Sequence, residues 1–331
     1  MTTNNKYDFF HIHDKAGFAV HINEKVLFSK DYFNEEVTLM NSYFDTKVPD
    51  VVDEKAVAEV INDNLKGLIQ IPNSYFHYFP DFIGTIFVFL ESCIKSDIKK
   101  VELVLVELEE KQETVKEFES FLNYCLDTFK NKIEVSYVKV NQANKAENVF
   151  DTYLRVNNSI VIGQKDIGIS LDFIYESAKG FANISDNSVP NKKVFLSRKN
   201  DVHKDNADTR HIYEEDAEKF FESIGFEVVN GESFGSLKKQ IAFFDQVSVF
   251  AGYAGSGLTS SIFMKPGQTL IEVVCPIKLG TCGHDGGDEW EIHNFYKTFS
   301  ILKNHTYIAV PNVDRSKESF LRDLEKVSRM F

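Results

Sequence analysis

From residue 67 onward, short apolar runs alternate with longer segments whose apolar positions recur every three or four residues. The runs "GLIQI", "KVELVLVE", "KIEVSYVKV" and "NSIVIGQ" predict strands, and segments 79–94, 112–130 and 171–181 predict helices. A polar stretch containing Pro190, "ISDNSVPNKK" (184–193), interrupts the series and predicts a linker. A second series follows. It reads "VFLSR" strand, helix 214–224, "FEVV" strand, helix 235–245, "VSVFAG" strand, helix 257–264, "TLIEVV" strand, and an amphipathic helix at about 315–329. Helix 214–224 sets Ala217, Phe220, Phe221 and Ile224 on one face, and Gly225 is placed to end it with a left-handed cap. Leu237, Ile241 and Phe244 form the apolar face of the next helix.

Strands alternating with helices of this length predict parallel sheets. The fold expected is α/β, with two Rossmann-like doubly wound domains facing a cleft: a first domain over 1–185 and a second over 186–331. Residues 1–60 carry aromatic and β-branched runs ("YDFFHIH", "FAVHI", "KVLFS") and predict a short strand-rich lead-in. The last helix is the element placed to pack back on the first domain.

A net charge of −13 changes the picture in one respect: with no Lys/Arg block, a nucleic-acid partner is not expected. An anionic ligand would have to be held by a few local groups. No run approaches the ~18 apolar residues of a membrane span, and Met1–Lys6 shows no apolar leader. Cys93, Cys125, Cys275 and Cys282 have neither metal-ligand spacing nor the density of a disulfide framework. The location expected is cytoplasmic.

The stretch "GYAGSGLTSSIF" (252–263) follows a predicted strand and carries Gly252, Gly255 and Gly257. In open parallel sheets, ligands bind beyond the carboxyl ends of the strands, at such turns. Missing Cβ atoms admit a ligand to the backbone, and a helix N-terminus, with about half a positive charge, favours phosphate. Ser256, Thr259 and Ser260 would add hydroxyls. The spacing is neither G-x-G-x-x-G nor a P-loop. Ser197-Arg198 ends the first strand of the same predicted sheet, and Arg210 follows in a polar loop; both guanidinium groups suit bidentate phosphate recognition. On the residues alone, an acidic neighbour for each Arg and a purely structural role for each Gly stay open.

These elements, in this order, resemble glycosyltransferase family 61. The resemblance runs through Ser197-Arg198, Arg210-His211-Ile212-Tyr213-Glu214-Glu215, Gly225 to Val228, Gln240-Ile241, residues 252–263, Pro266-Gly267 and Ile271-Glu272. It extends more thinly to "NSYFHYFPD" (73–81), to Tyr296 and to "LKNHTYIAV" (302–310). The resemblance implies a GT-B-type, metal-independent, inverting transfer of a sugar from a nucleotide donor, a UDP-sugar favoured, to a glycan or polysaccharide. The nucleotide-sugar is a co-substrate, and no cofactor is implied. Carried over, Arg198 and Arg210 face the diphosphate, and the backbone of Gly255, Ser256, Gly257, Leu258 and Thr259 cradles it. Ser197, Glu215 and Glu272 belong to the same donor side. The chain departs from the family's turn, Gly-x-His-Gly-Ala-Gly-Leu-Thr-Asn, at Ala254, Ser256 and Ser260, and Glu214 replaces an Asn.

An inverting transfer needs a base for the acceptor hydroxyl and positive charge for the departing diphosphate. His77 and Asp81, spaced i, i+4 at a predicted helix start, are the base candidates; a packing role for His77 among Tyr75, Phe76, Tyr78 and Phe79 stays open. The glycine-rich "GTCGHDGGDEWEIH" (280–293) meets no metal spacing and reads as an acidic loop whose Asp285 or Asp288 could touch sugar hydroxyls. The alternative function is a non-catalytic relative that binds nucleotide or a partner.

Overall fold

A computed structural model describes residues 21–22, 26–27, 65–71, 75, 78–95, 98–107, 114–141, 159–161, 167–185, 189–198, 213–274, 277–278, 290–291, 295–311 and 316–330. The chain divides into two compact units, Met1–Ser177 and Ala178–Phe331. Of the lead-in, the described part is a two-residue antiparallel pair, β1 (His21–Ile22) with β2 (Val26–Leu27).

In the first unit, β3 (Leu65–Gln70), β4 (Lys100–Glu107), β5 (Glu134–Asn141) and β6 (Ser159–Val161) form a parallel sheet in the order β5-β4-β3-β6. Its helices are α1 (Gly84–Lys95), α2 (Thr114–Asp127) and α3 (Ile167–Ala182), the last as far as Ser177. Parallel strands need helical crossovers, which cover the sheet, so central β4 is apolar on both faces: Val101, Leu103, Val104 and Leu105 are all buried. Rings tie the layers together. Phe87 of α1 stacks on Phe173 of α3 at 4.1 Å, and Tyr78 stacks on Phe118 of α2 at 4.4 Å. The chain enters α1 through a π-helical turn, Tyr78–Ile83, around Pro80, which has no N–H to give to a regular helical bond.

The second unit is built on β7 (Lys192–Ser197), β8 (Glu227–Asn230), β9 (Val247–Tyr253), β10 (Thr269–Val274) and β13 (Thr306–Pro311), all parallel, in the order β13-β10-β9-β7-β8. Counted from β7, this is the 2-1-3-4-5 order of a doubly wound sheet. A short antiparallel pair, β11 (Ile277–Lys278) and β12 (Trp290–Glu291), lies outside it. On one face α4 (Glu214–Ser223) and α7 (Lys317–Ser328) pack Ala217, Phe221, Phe320, Leu324 and Val327 against Phe195, Ala251, Tyr253, Ile271 and Val273. α5 (Leu237–Phe244), 3-10 helices over Gly231–Phe234 and Ser256–Phe263 and α6 (Phe295–Leu302) also belong to the unit.

Local chemistry explains the boundaries. Gly225 adopts φ +87° and its N–H reaches the Glu222 carbonyl at 3.0 Å, the left-handed stop that ends α4. Ser236 caps α5 through Lys239 N–H, and Ser316 caps α7 through Ser319 N–H. The last helix places Phe320, Leu324 and Val327 in the second unit's core cluster around Phe195 and Ile271. The helix expected at 257–264 is a 3-10 helix, opening with Leu258 N–H on the Gly255 carbonyl at 3.0 Å. No described helix is long and apolar enough to cross a membrane.

Candidate functional site

The strand order places the site. The crossover from β7 leads outward to β8, while the next ones return past β7 to β9 and on to β10, so the carboxyl ends of β7 and β9 flank the switch point of the sheet. Leu196 pairs in register with Gly252 there. Beyond these two residues lie Ser197-Arg198 on one strand and Ala254-Gly255 on the other. Two motifs more than fifty residues apart in sequence therefore meet at one crevice.

The three glycines answer different needs. A Cβ on Gly252 would lie 3.0 Å from Leu258 Cδ2, and one on Gly257 would collide with Leu196 Cδ2. Their bareness lets the 3-10 helix lie close on the sheet. Gly255 is the one turned to the crevice: its φ of +153° suits glycine alone, and a Cβ there would sit 2.7 Å from Arg198 Nη1. The guanidinium lies over the backbone of the turn.

The hydroxyls expected to help divide in the same way. Ser256 is exposed, but Thr259 and Ser260 are buried. Thr259 Oγ1 is 3.3 Å from the Tyr296 hydroxyl, and Ser260 Oγ accepts from Gln240 Nε2 at 3.1 Å. The tight 3-10 winding turns these two side chains inward, so they shape the turn rather than line it. Tyr296 of α6 in turn donates to the Gly255 carbonyl at 2.6 Å.

Ser197 also points away from the turn. It is buried, and its hydroxyl is bound by Glu218 and, at 3.3 Å, by Glu214 Oε1. Glu214 Oε1 further accepts the Arg198 main-chain N–H. Four residues apart on α4, these carboxylates share a face and tie the end of β7 to the helix. Glu215, named on the donor side by sequence, is exposed on the first turn of α4, and its neighbour Glu214 makes the contact with β7. Tyr213 precedes the helix in a left-handed conformation, φ 62°, and its ring stacks on Phe320 at 5.9 Å.

Glu272 sits within the sheet, paired in register with Gly252 and Ala309 and 2% exposed. Its Oε2 accepts from the Tyr307 hydroxyl at 2.6 Å. Burial pushes its carboxyl up to about 7, and the Tyr307 hydrogen bond partly opposes that rise. Burial and the Glu272 charge hold the Tyr307 phenol well above the usual range. On the adjoining β13 turn, burial and then the charge of Lys303 pull His305 down to about 4.

His77, Arg210, the Asp81 side chain and the loop 280–289 lie outside the described residues. Among the described residues, no group of three or more His, Cys, Asp or Glu is placed to hold a metal ion. Sequence reasoning assigned no role to Tyr296, Glu218 or Tyr307. Each acts through a partner at least 21 positions away, and no local pattern marks such a pair.

The sequence model of the family described as Glycosyltransferase 61 matches residues 75–271, more than half of the chain. No curated protein matches.

Proposed function

This chain belongs to glycosyltransferase family 61, and on that premise we propose that it moves a sugar from a nucleoside diphosphate donor, a UDP-sugar favoured, to a glycan or polysaccharide. The family makes it a glycosyltransferase; the donor, the acceptor and the stereochemistry are our reading. The observation that carries it is the Arg198 guanidinium lying over Gly255 at the switch point of the second sheet. A permanent cation beside backbone N–H groups at the start of a helix is the chemistry a diphosphate requires.

In this reading the reaction is an inverting, metal-independent transfer of the GT-B type, set in the cytoplasm. The acceptor hydroxyl oxygen attacks the anomeric carbon from the face opposite the donor oxygen. Its proton passes to His77 or Asp81. The carbon–oxygen bond to the diphosphate breaks, and the electron pair leaves with the phosphate, where Arg198, Arg210 and the turn at 255–259 offset the growing charge. Whether a transferred sugar is a hexose or a pentose is decided by groups touching the sugar, for which Asp285 and Asp288 are the candidates.

Thermal unfolding of the full chain with UDP, GDP, CMP, dTDP, ADP and NAD, each with and without EDTA, tests the proposal. A ligand at 100 times its Kd stabilises the native state by about 2.7 kcal/mol, a readily measured shift. The expected result is a shift with UDP that EDTA leaves unchanged, followed by UDP release from a UDP-sugar when an acceptor glycan is supplied. No shift with any nucleoside diphosphate would overturn the donor reading. Binding without turnover across an acceptor panel would favour a non-catalytic relative, the reading to which Ala254, in place of the family's His, also points.

A further inference from the structure

Building on that donor reading, we propose that Tyr296 is a positioning residue that orients the Gly255–Ser256 peptide for donor phosphate. Glycine turns do not fix their own peptide planes, because a residue without Cβ has several orientations open to it. Something outside the turn must choose one. At Gly255 two groups do so. Arg198 Nη1 stands 2.7 Å from the place a Cβ would take, and the Tyr296 hydroxyl holds the carbonyl oxygen at 2.6 Å.

The hydrogen bonds around that phenol form a directed chain. Tyr296 has one hydroxyl proton, and it goes to the Gly255 oxygen; Thr259 Oγ1, 3.3 Å away, therefore donates to the Tyr296 oxygen. The Gly255 oxygen also accepts Leu258 N–H at 3.0 Å, so it is satisfied from the buried side twice. The phenol is 5% exposed. In a trans peptide the C=O and N–H point in opposite directions. Holding the Gly255 oxygen on the buried phenol thus aims the Ser256 N–H away from the core, on a residue that is itself exposed. This amide is the donor that the diphosphate would meet beside Arg198. Without the phenol the Gly255 oxygen keeps only the Leu258 N–H, so the plane is held less firmly and the donor is weakened although every residue of the turn and its arginine remain.

Tyr296→Phe tests this, with Ser300→Ala as the comparison. Ser300 lies one turn further along α6, fully buried, and its hydroxyl donates to the Tyr296 main-chain carbonyl at 2.8 Å. Its loss removes a buried hydrogen bond from the same helix without touching Gly255. Two readouts are taken on the full chain: amide hydrogen exchange across 254–262 without ligand, and UDP affinity by calorimetry. The expectation is faster exchange at Leu258 and about 3- to 10-fold weaker UDP binding in Tyr296→Phe, with both properties kept in Ser300→Ala. Unchanged UDP affinity in Tyr296→Phe overturns the proposal, as does an equal loss in both variants, which marks a merely structural role. If the unmutated chain binds no UDP, the donor reading falls and the phosphate role with it. Unchanged exchange with intact binding removes only the role of Tyr296.

Discussion

Arg198 Nη1 stands 2.7 Å from the position that a Cβ on Gly255 would take, so the guanidinium beyond one strand lies against the bare backbone beyond another. The relationship works in both directions. Gly255 leaves room for the cation, and the cation covers a turn whose backbone would otherwise be open to solvent.

Replacing Arg198 with Ala removes the charge and leaves the fold, because the side chain is only partly buried. Charged hydrogen bonds contribute about 1.5–3 kcal/mol, so UDP affinity is expected to fall by roughly 10- to 150-fold. Lys at the same position should recover only part of this, since an ammonium cannot make the paired contacts of a guanidinium. Isothermal titration of both variants with UDP checks the point, and full affinity in the Ala variant would remove Arg198 from the site.

Gly255→Ala is a subtler perturbation. The new methyl group meets Arg198 Nη1, the far end of a flexible side chain, which can move aside. The remaining cost is the φ of +153°, a strain of about 1–3 kcal/mol for a residue with a Cβ. The variant should therefore stay folded, with a modestly lower Tm, while UDP binding falls nearly as far as in Arg198→Ala. Combining the two substitutions should add little to the binding defect, because both displace the same group. An additive double variant would show that they act separately.

Glu272 and His305 predict an unusual pH response. Glu272 titrates near 7 when folded against an ordinary 4.5, so the folded state holds more protons than the unfolded state in that window. Stability from this group is full below the window and is lost as pH rises through it. His305 titrates near 4 when folded against an ordinary 6.5, so there the unfolded state holds more protons. Stability from His305 grows with pH across its own window. The two slopes oppose each other between about pH 4.5 and 6.5. Glu272→Gln removes one of them, so urea denaturation of the variant should show stability rising across that range more steeply than in the parent chain. Parallel pH profiles for variant and parent would show that Glu272 does not titrate there.

Phe221 anchors the face of the second sheet that α4 and α7 cover. It is fully buried, stacks on Phe195 at 4.7 Å and meets Phe226 edge-on at 4.9 Å. Truncation to Ala should cost about 3–5 kcal/mol. Leu at this site should cost much less than Ala, because it keeps most of the volume, and chemical denaturation separates the two.

Much of this was legible in the sequence because it is local. Apolar periodicity located the described helices except α6 to within a few residues, and Gly225 marked the end of α4 because only a residue without Cβ rests comfortably at its φ. The positions of Arg198 and of the glycine turn were equally readable as motifs. What each glycine is for was not. Gly252 and Gly257 make room for Leu258 and Leu196, whereas Gly255 alone receives Arg198, and only the register of β7 against β9 distinguishes them. The inward turn of Thr259 and Ser260 follows from 3-10 winding, which the expectation of a helix at 257–264 did not specify. The buried carboxyl of Glu272 and its partner Tyr307 meet across neighbouring strands 35 positions apart. Local steric and periodic rules act over a few residues and are written in the sequence. Contacts between strand ends depend on the order in which a sheet is wound, which only the tertiary structure decides.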